Sequence, residues 1–140
     1  MSVTNQISTQ QGQALIDDAI ASIAPVLRRT IPEEQWTQMT DSVTAPCGFG
    51  DSANYRYNSS LFKATQQVDH EVFTEIQEIL AGKGFRTIVD PPEFGEGFHA
   101  KFYNDQGDYI GVTSGPDSGT SYDGATECRL IDPTETSPTP

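Results

Sequence analysis

Short segments typical of β-strands fill the last third of the chain, and only brief turn-forming stretches separate them. The segment "FRTIVD" is β-branched and stopped by two prolines, and "FHAKFYNDQGDYIGVTSG" alternates around a glycine-containing turn as a hairpin does. We interpret "PDSGTSYDGA" as a turn-rich connector and "TECRLI" as a final strand. Because successive strands joined by short turns pair antiparallel, this third of the chain predicts an antiparallel sheet.

The first part of the chain has the periodicity of an amphipathic helix from Gly12 onward. Ser8 or Thr9 is placed to cap its first turn. Pro25 should kink or locally break it near its last turn, because proline lacks an amide and crowds a preceding carbonyl. Apolar residues recur at spacings of three and four, which predicts one buried face. They are Leu15, Ile16, Ala19, Ile20, Ile23, Val26 and Leu27.

A second amphipathic helix is predicted in "DHEVFTEIQEILAGKGF", where Gly82 or Gly84 ends the pattern. Its buried stripe consists of Val68, Val72, Phe73, Ile76, Ile79 and Leu80. Between the helices, "TIPEEQW" indicates a short helix with Thr30 as its cap and Pro32 in its first turn. We expect Trp36 to be buried, the alternative being an exposed ring that stacks on a ligand.

The order of elements is then helix, short helix, one strand near residues 53–64, helix, and three or four further strands. This order indicates an α+β fold: an antiparallel sheet of four to five strands with two main helices packed on one face. We predict a flexible lead-in over residues 1–9, a single domain over 10–131, and a disordered tail over 132–140. The tail, "DPTETSPTP", is rich in proline and threonine and has no apolar residue to bury.

The charge balance limits the partners of the chain. Twenty acidic residues face eight basic ones, a formal charge of −12, and "LRR" holds the only adjacent basic pair. Such a field repels nucleic acids and anionic lipid surfaces. We therefore expect no nucleic-acid binding. A protein or a small ligand remains the expected partner, and a basic protein or a cation fits the charge.

The beginning of the chain does not resemble a secretory leader, since "MSVTNQISTQQGQ" is polar and uncharged. A polar opening rich in serine, threonine and glutamine is, however, what a tether behind a removed leader looks like. No apolar run approaches the roughly 20 residues that span a bilayer. We expect contact with a membrane only through a lipid anchor that this sequence does not contain.

The two cysteines, Cys47 and Cys128, bear on the compartment in which the protein works. If both lie in a sheet or at its margin they can form a disulfide, which cytosolic proteins rarely use. The alternative is a pair of buried reduced thiols that act as small apolar groups. Catalysis by Cys47 is not expected, because no basic residue within eight positions would lower its pKa.

Four stretches of the chain together resemble small exported lipoproteins of actinobacteria. They are "PCGFG", "IQEILAGKGFRT", "NDQGDYIGVTSG" and "TECRL", and the similarity spans roughly residues 22–130. The resemblance implies a location in the cell envelope, a removed leader and a bond between Cys47 and Cys128. It supplies no catalytic residues. The lipid-bearing cysteine of such proteins is not in this chain.

Catalytic motifs are missing from the sequence. No Ser nucleophile elbow or phosphate-binding loop occurs, and "GKG" marks the end of a helix. His70 stands beside Asp69 and Glu71 and is expected to face solvent. His99 follows the acidic stretch "DPPEFGEG", so His99 with Glu93 or Glu96 forms a weak polar site capable in principle of acid–base chemistry. We expect loop structure rather than catalysis there, and no enzyme activity.

Metal and cofactor sites are not expected either. "NDQGD" and the acids Asp117 and Asp123 offer oxygen ligands for calcium, but neither segment has the order of an EF-hand loop. Hairpin turns use the same residue types for backbone reasons. There is no CxxC pair for zinc.

Two functions remain. The first is a non-enzymatic exported domain of the cell envelope, membrane-anchored in its native form, with an unknown binding role. The alternative is a small acidic cytosolic protein of the immunity or inhibitor type that neutralises a basic partner, since opposite fields speed encounter.

Overall fold

The computed structural model describes residues 7–47, 54–87 and 97–130, which form two helices and eight strands. Helix α1 spans Thr9–Thr30 and helix α2 spans His70–Gly82, and a single 3-10 turn at Glu33–Gln35 follows α1. The strands are β1 (Thr37–Gln38), β2 (Val43–Pro46), β3 (Asn54–Asn58), β4 (Phe62–Ala64), β5 (Phe98–Tyr103), β6 (Tyr109–Gly115), β7 (Gly119–Ala125) and β8 (Arg129–Leu130).

Strand β7 is the centre of the sheet. Along its whole length it pairs with β6, which pairs in turn with β5. On its other side β7 pairs with β4 and reaches β3 at Ala125. Strand β1 extends the sheet beyond β4, and both β2 and β8 lie beside β3. All these pairings are antiparallel, which confirms the α+β class, although the sheet has more strands than the four to five predicted.

The interpretation of residues 116–125 as a connector was wrong, because most of that segment is β7. Its glycines are required by close packing as well as by the geometry of a turn. A Cβ on Gly124 would lie 2.9 Å from both Ile110 and Ile16, so the absent side chain lets α1 approach the sheet. Gly119 has a φ of +71°, and a Cβ there would lie 2.2 Å from the carbonyl oxygen of Ala64. Turn-forming composition thus concealed the central strand.

The single strand predicted near residues 53–64 is two strands, β3 and β4. Ser59 separates them: its amide donates to the Gly124 carbonyl, and its Oγ accepts from the Gly124 amide at 2.8 Å. The chain therefore passes from one stretch of β7 to another without leaving the sheet. Strands β1 and β2 are mostly exposed and carry little apolar patterning for sequence reasoning to find.

Helix α1 begins as the sequence indicates. The Ser8 hydroxyl caps it by accepting a hydrogen bond from the Gln11 amide. The Gln11 side chain in turn accepts one from the Ser8 amide, which completes a capping box. The helix begins at Thr9, inside the segment predicted as a lead-in. It also continues through Pro25, whose exposed position leaves the freed carbonyl of Ala21 within reach of water.

The short helix after α1 differs from the prediction. Thr30 is the last residue of α1 rather than a cap, and Pro32 precedes a 3-10 turn that has no side-chain cap. Only Arg86 of the predicted strand at 85–90 is bridged to the sheet, opposite Tyr103, and residues 88–90 lie outside the described residues. Residues 1–6 and 131–140 also lie outside them, so the tail remains a prediction.

One hydrophobic core joins both helices to one face of the sheet. The two helices are antiparallel neighbours, since Asp18 pairs with Lys83 at 2.8 Å and Arg29 pairs with Glu75 at 2.6 Å. Their apolar faces cover the inward side chains of β5–β7, which are Phe98, Ala100, Phe102, Ile110, Val112 and Tyr122. The outward side chains of the same strands are polar or aromatic. Within residues 7–47, 54–87 and 97–130, no helix has the length and apolarity to cross a membrane.

Candidate functional site

A surface cleft of about 270 Å³ lies where β5 begins and where the turn between β6 and β7 projects. This volume is close to the lower end of the range for small-molecule sites, about 300 Å³. Its lining includes Phe98, His99, Thr113, Pro116, Asp117 and Ser118. The cleft therefore contains His99, one of the three residues of the predicted polar site.

His99 lies exposed on β5 opposite Thr113 of β6. Its Nδ1 is 2.6 Å from Thr113 Oγ1, so the ring is oriented by a neighbouring hydroxyl. Glu93 and Glu96, the two carboxylates of the predicted site, lie outside the described residues. Acid–base chemistry by His99 therefore stays a prediction. The described geometry places the hydrogen-bonding groups of His99 and Thr113 together in a cleft.

Buried hydroxyls fix part of the wall of this cleft. Ser114 and Thr120 are hydrogen-bonded across the hairpin at 2.9 Å. Ser114 Oγ accepts from the Val68 amide, and Thr120 Oγ1 donates to the Gln66 carbonyl at 2.7 Å. These bonds tie the segment before α2 to the base of β6 and β7. Because Ser114 lines the cleft, this hydrogen-bonded network fixes the position of part of its wall.

His70 does not join His99. It is the exposed first residue of α2, as predicted for a solvent-facing side chain, and its ring centroid is 6.2 Å from that of Phe98. Because Phe98 points into the core and His99 points outward, the two histidines lie on opposite faces of β5. No group of three His, Cys, Asp or Glu residues in the described part of the chain could hold a metal ion.

Cys47 and Cys128 are joined by a disulfide bond, with their Cα atoms 6.0 Å apart. The bond lies at the margin of the sheet: Cys47 follows β2, and Cys128 immediately precedes β8. It thus connects two elements that both flank β3 and are separated by 81 positions in sequence. Of the two alternatives that the residues left open, the structure has the disulfide.

Beside the disulfide lies an ion pair that sequence reasoning did not find. The side chains of Asp108 and Arg129 are 0% and 1% exposed, and Arg129 Nη2 is 2.8 Å from Asp108 Oδ1. Asp108 also accepts from the Glu127 amide at 2.9 Å, and Arg129 Nη1 donates to the Gln106 carbonyl at 3.0 Å. Buried charges need such partners. The pair joins the β5–β6 turn to β8, while Arg129 Nε is buried and has no hydrogen-bond partner among the described residues.

The first turn of α1 closes over this pair. A Cβ on Gly12 would lie 2.4 Å from Arg129 Nη2, so a glycine is needed where the helix meets the guanidinium. The buried Thr9 hydroxyl is 2.9 Å from the Tyr55 carbonyl and 3.0 Å from the Arg129 carbonyl. These contacts hold the helix start, β3 and β8 together. We call the group formed by Thr9, Gly12, Asp108 and Arg129 the polar knot.

Two of the calcium candidates, Asn104 and Asp108, are engaged in contacts of the β5–β6 turn and of the buried ion pair. Asn104 Oδ1 accepts from the Gln106 and Asp108 amides, and Gly107 has a φ of +84°, as a tight hairpin turn requires. The Asp108 carboxylate is already paired with Arg129. Asp117 lines the cleft and Asp123 lies on β7, in separate parts of the sheet.

Trp36 is half-buried in a cluster around Arg28 at the end of α1. The Arg28 guanidinium lies 5.0 Å from the Trp36 ring centroid, bonds the Tyr122 hydroxyl and pairs with Glu33 at 2.5 Å. Burial acts to lower the pKa of Arg28, but Tyr122 and Glu33 raise it on balance. Trp36 Nε1 donates to the Ile31 carbonyl at 2.9 Å. The Arg28 side chain thus contacts the Trp36 ring, and a backbone carbonyl accepts from its indole nitrogen.

Comparisons with known proteins place the fold and leave the activity open. No protein-family model matches the chain, and no curated protein matches its sequence. Among solved structures, a DUF4853 family protein of Actinomyces odontolyticus is similar, with a TM-score of 0.56 at 14% sequence identity. The similarity covers 90% of this chain and 71% of that one.

At that identity the similarity shows a shared fold alone. The neighbour comes from an actinobacterium, the group to which the sequence resemblance points. Its family name denotes a domain of unknown function, so it brings no reaction, ligand or partner to this chain. Whether this protein carries a lipid, or catalyses a reaction, is not addressed by the similarity.

Proposed function

We propose that this chain is the extracytoplasmic domain of a cell-envelope protein, anchored to the membrane in its native form, that binds another molecule and does not catalyse a reaction. The disulfide between Cys47 and Cys128 is the observation that carries this proposal. Cytosolic thiol systems keep such pairs reduced, whereas exported proteins form and retain them.

The position of the disulfide strengthens the inference. It holds β8 beside β3, and β8 carries Arg129, one half of the buried ion pair. A bond in that place stabilises the polar knot, where the first turn of α1 meets β8. A thiol pair there would leave a two-residue strand to secure the buried charges. The fold therefore suits an oxidising compartment.

A binding role is supported by the cleft at His99. The cleft offers ring nitrogen, hydroxyl and carboxylate groups from His99, Thr113 and Asp117. The His99 ring is held by its hydrogen bond with Thr113, which orients it to bond a ligand. Binding by hydrogen bonds is the activity for which this geometry is sufficient.

The compartment is tested by the state of the thiols in living cells. Cells that express the native gene product are treated with N-ethylmaleimide before lysis, and the protein is then denatured, reduced and labelled with a second reagent for mass analysis. We expect both cysteines to take only the second label. A Cys47→Ser variant is the control, since its remaining thiol must take the first label or show a mixed disulfide.

First-label modification of both cysteines in the unaltered protein would overturn the proposal. The protein would then be reduced in its own compartment, and the acidic cytosolic binder would become the better hypothesis. Recovery of the oxidised protein in the membrane fraction, and its release by a lipase or by removal of the upstream segment, would support the anchor.

A further inference from the structure

We propose that the outer face of β5–β7, turned away from the helices, carries a binding site for a neutral polyhydroxylated ligand of the saccharide class, built by Lys101, Tyr109 and Asp123 around Gly111. This inference rests on the proposed binding role and adds a second site, one row of side chains away from the His99 cleft, together with its ligand chemistry. It does not use the compartment, so the two can fail separately.

The strand register brings these side chains together. Lys101 on β5 is opposite Gly111 on β6, which is opposite Asp123 on β7. The alternation of a strand puts them on the face opposite Phe102 and Ile110, which lie in the core. The neighbouring rows on the same outer face are Tyr103 with Tyr109, and His99 with Thr113 and Ser121.

Gly111 makes a recess at the centre of this array. It has no side chain, while Lys101 and Asp123 stand on either side of it. A Cβ on Gly111 would lie 3.3 Å from Asp123 Oδ1, so the carboxylate lies down over the strand. The low spot that Gly111 leaves on the sheet is therefore partly covered by the Asp123 carboxylate, which forms the surface that a ligand would contact.

Asp123 is the residue without a structural explanation. Its side chain is half-buried, and within the described part of the chain no hydrogen bond or ion pair engages its carboxylate. Burial raises the pKa of Asp123, while Lys101 acts to lower it. The Asp123 oxygens are only partly buried, so solvent or a ligand can reach them, and the burial of the charge is partial. Groups whose pKa is shifted by burial beside a specific charge concentrate at functional sites, where a ligand can supply a donor.

The surrounding groups define the ligand. Lys101 Nζ lies 4.6 Å from the Tyr109 ring centroid, and the Tyr103 and Tyr109 centroids are 5.7 Å apart. A cation and an anion within one recess oppose ligands of either net charge. A neutral ligand rich in hydroxyl groups can donate to Asp123 and accept from Lys101. The C–H faces of a sugar ring can also pack on an aromatic ring such as Tyr103.

Saturation-transfer NMR and titration of the purified, oxidised chain test this site. The first probes are N-acetylglucosamine, cationic glucosamine and anionic glucuronate, followed by cellobiose, maltotriose and chitotriose. We expect a neutral sugar to bind more tightly than either charged one. Asp123→Asn should weaken the affinity at least about tenfold, since a charge-assisted hydrogen bond is lost.

Glu78→Gln is the matched control, because it removes one carboxylate from the exposed face of α2 and should leave binding unchanged. Tyr103→Leu should also weaken binding if the ring packs on the sugar. The site is overturned if no neutral sugar binds below about 10 mM, or if Asp123→Asn binds as well as the original. Tighter binding of glucosamine or glucuronate would overturn the neutral class.

Loss of this site would leave the thiol measurement untouched. An oxidised protein that ignores all the sugars would keep its proposed place in the envelope and lose only the ligand. A reduced protein that binds them through Asp123 would keep the site and lose the compartment.

Discussion

Two aspartates on the same sheet differ completely in what surrounds them. Asp108 lies in the polar knot at the start of α1, bound by Arg129 and by the Glu127 amide. Asp123 lies on the open face of β7 and has neither kind of partner among the described residues. Asp108, whose carboxylate completes the fold, and Asp123, whose half-buried carboxylate costs stability, are 15 positions apart in the chain.

The difference teaches where stability and function reside in this molecule. A buried charge that is paired and hydrogen-bonded is part of the scaffold, and its removal leaves the partner's charge buried without a counter-charge. A charge that is half-buried and unpartnered contributes nothing to the scaffold that a neutral group would not supply. Substitutions at the two positions should therefore change the free energy of unfolding in opposite directions.

The largest effect is expected from Asp108→Ala. It leaves the Arg129 guanidinium buried and unpaired against the first turn of α1, at a cost of about 3–5 kcal/mol. Urea unfolding of the oxidised protein measures it. Asp108→Asn combined with Arg129→Met removes both charges and should recover part of that loss. A single substitution that costs less than about 1 kcal/mol would show that the pair is not integral to the scaffold.

The disulfide should give the next largest effect. A Cys47→Ser and Cys128→Ser double variant loses the cross-link over 81 positions, and we expect it to be less stable by about 2–4 kcal/mol. Amide exchange should accelerate first in β8 and in the first turn of α1, because both are held at the knot beside the bond. Uniform acceleration across the sheet would contradict the local role that we assign to the bond.

Sequence reasoning found what local patterns encode. The apolar stripes gave both helices, the alternation gave the β5–β6 hairpin, and Ser8 gave a cap that the structure confirms. Position among the strands was less visible. Strand β7 carries residues that are typical of turns: Gly119, Ser121, Asp123 and Gly124. The two glycines lie where close packing leaves no room for a side chain, and Ser121 and Asp123 lie on the open polar face.

The candidate sites were visible only in part, for a related reason. His99 stood out because histidine is rare here, and the structure places it in a cleft with Thr113. The pair of Asp108 and Arg129 joins positions 21 apart through tertiary contact, and Asp108 has the surroundings of an ordinary hairpin turn. The Asp123 array depends on the register of three strands, one of which local composition had disguised.

Asp123→Asn should have a smaller effect of the opposite sign. The raised pKa means that the folded state binds a proton at Asp123 more tightly than the unfolded state does. This stabilising contribution is full below the ordinary value of 3.8 and is lost as the pH rises through the folded-state pKa. At pH 7 the neutral variant should thus be at least as stable as the original, and it should lack that part of the pH dependence.

Thermal unfolding from pH 3 to pH 7 tests this sign. Glu78→Gln is again the control, since that carboxylate is exposed on α2. If Asp123→Asn is the less stable protein at pH 7, the carboxylate has a structural partner, and the contrast with Asp108 would disappear.

The smallest and sharpest effect is expected from Gly111→Ala. Its added Cβ would lie 3.3 Å from Asp123 Oδ1, so the carboxylate must move by a few tenths of an ångström, a direction that the open face permits. The backbone of Gly111 is not left-handed, so alanine is tolerated and stability should change by less than about 1 kcal/mol. A displaced carboxylate gains water, so its pKa should fall back toward 3.8, which a carboxyl-carbon NMR titration measures. An unchanged pKa would mean that contact with the strand at Gly111 is not what desolvates Asp123. The ligand site would then have to lie elsewhere on the outer face, even if the stability of Gly111→Ala is as expected.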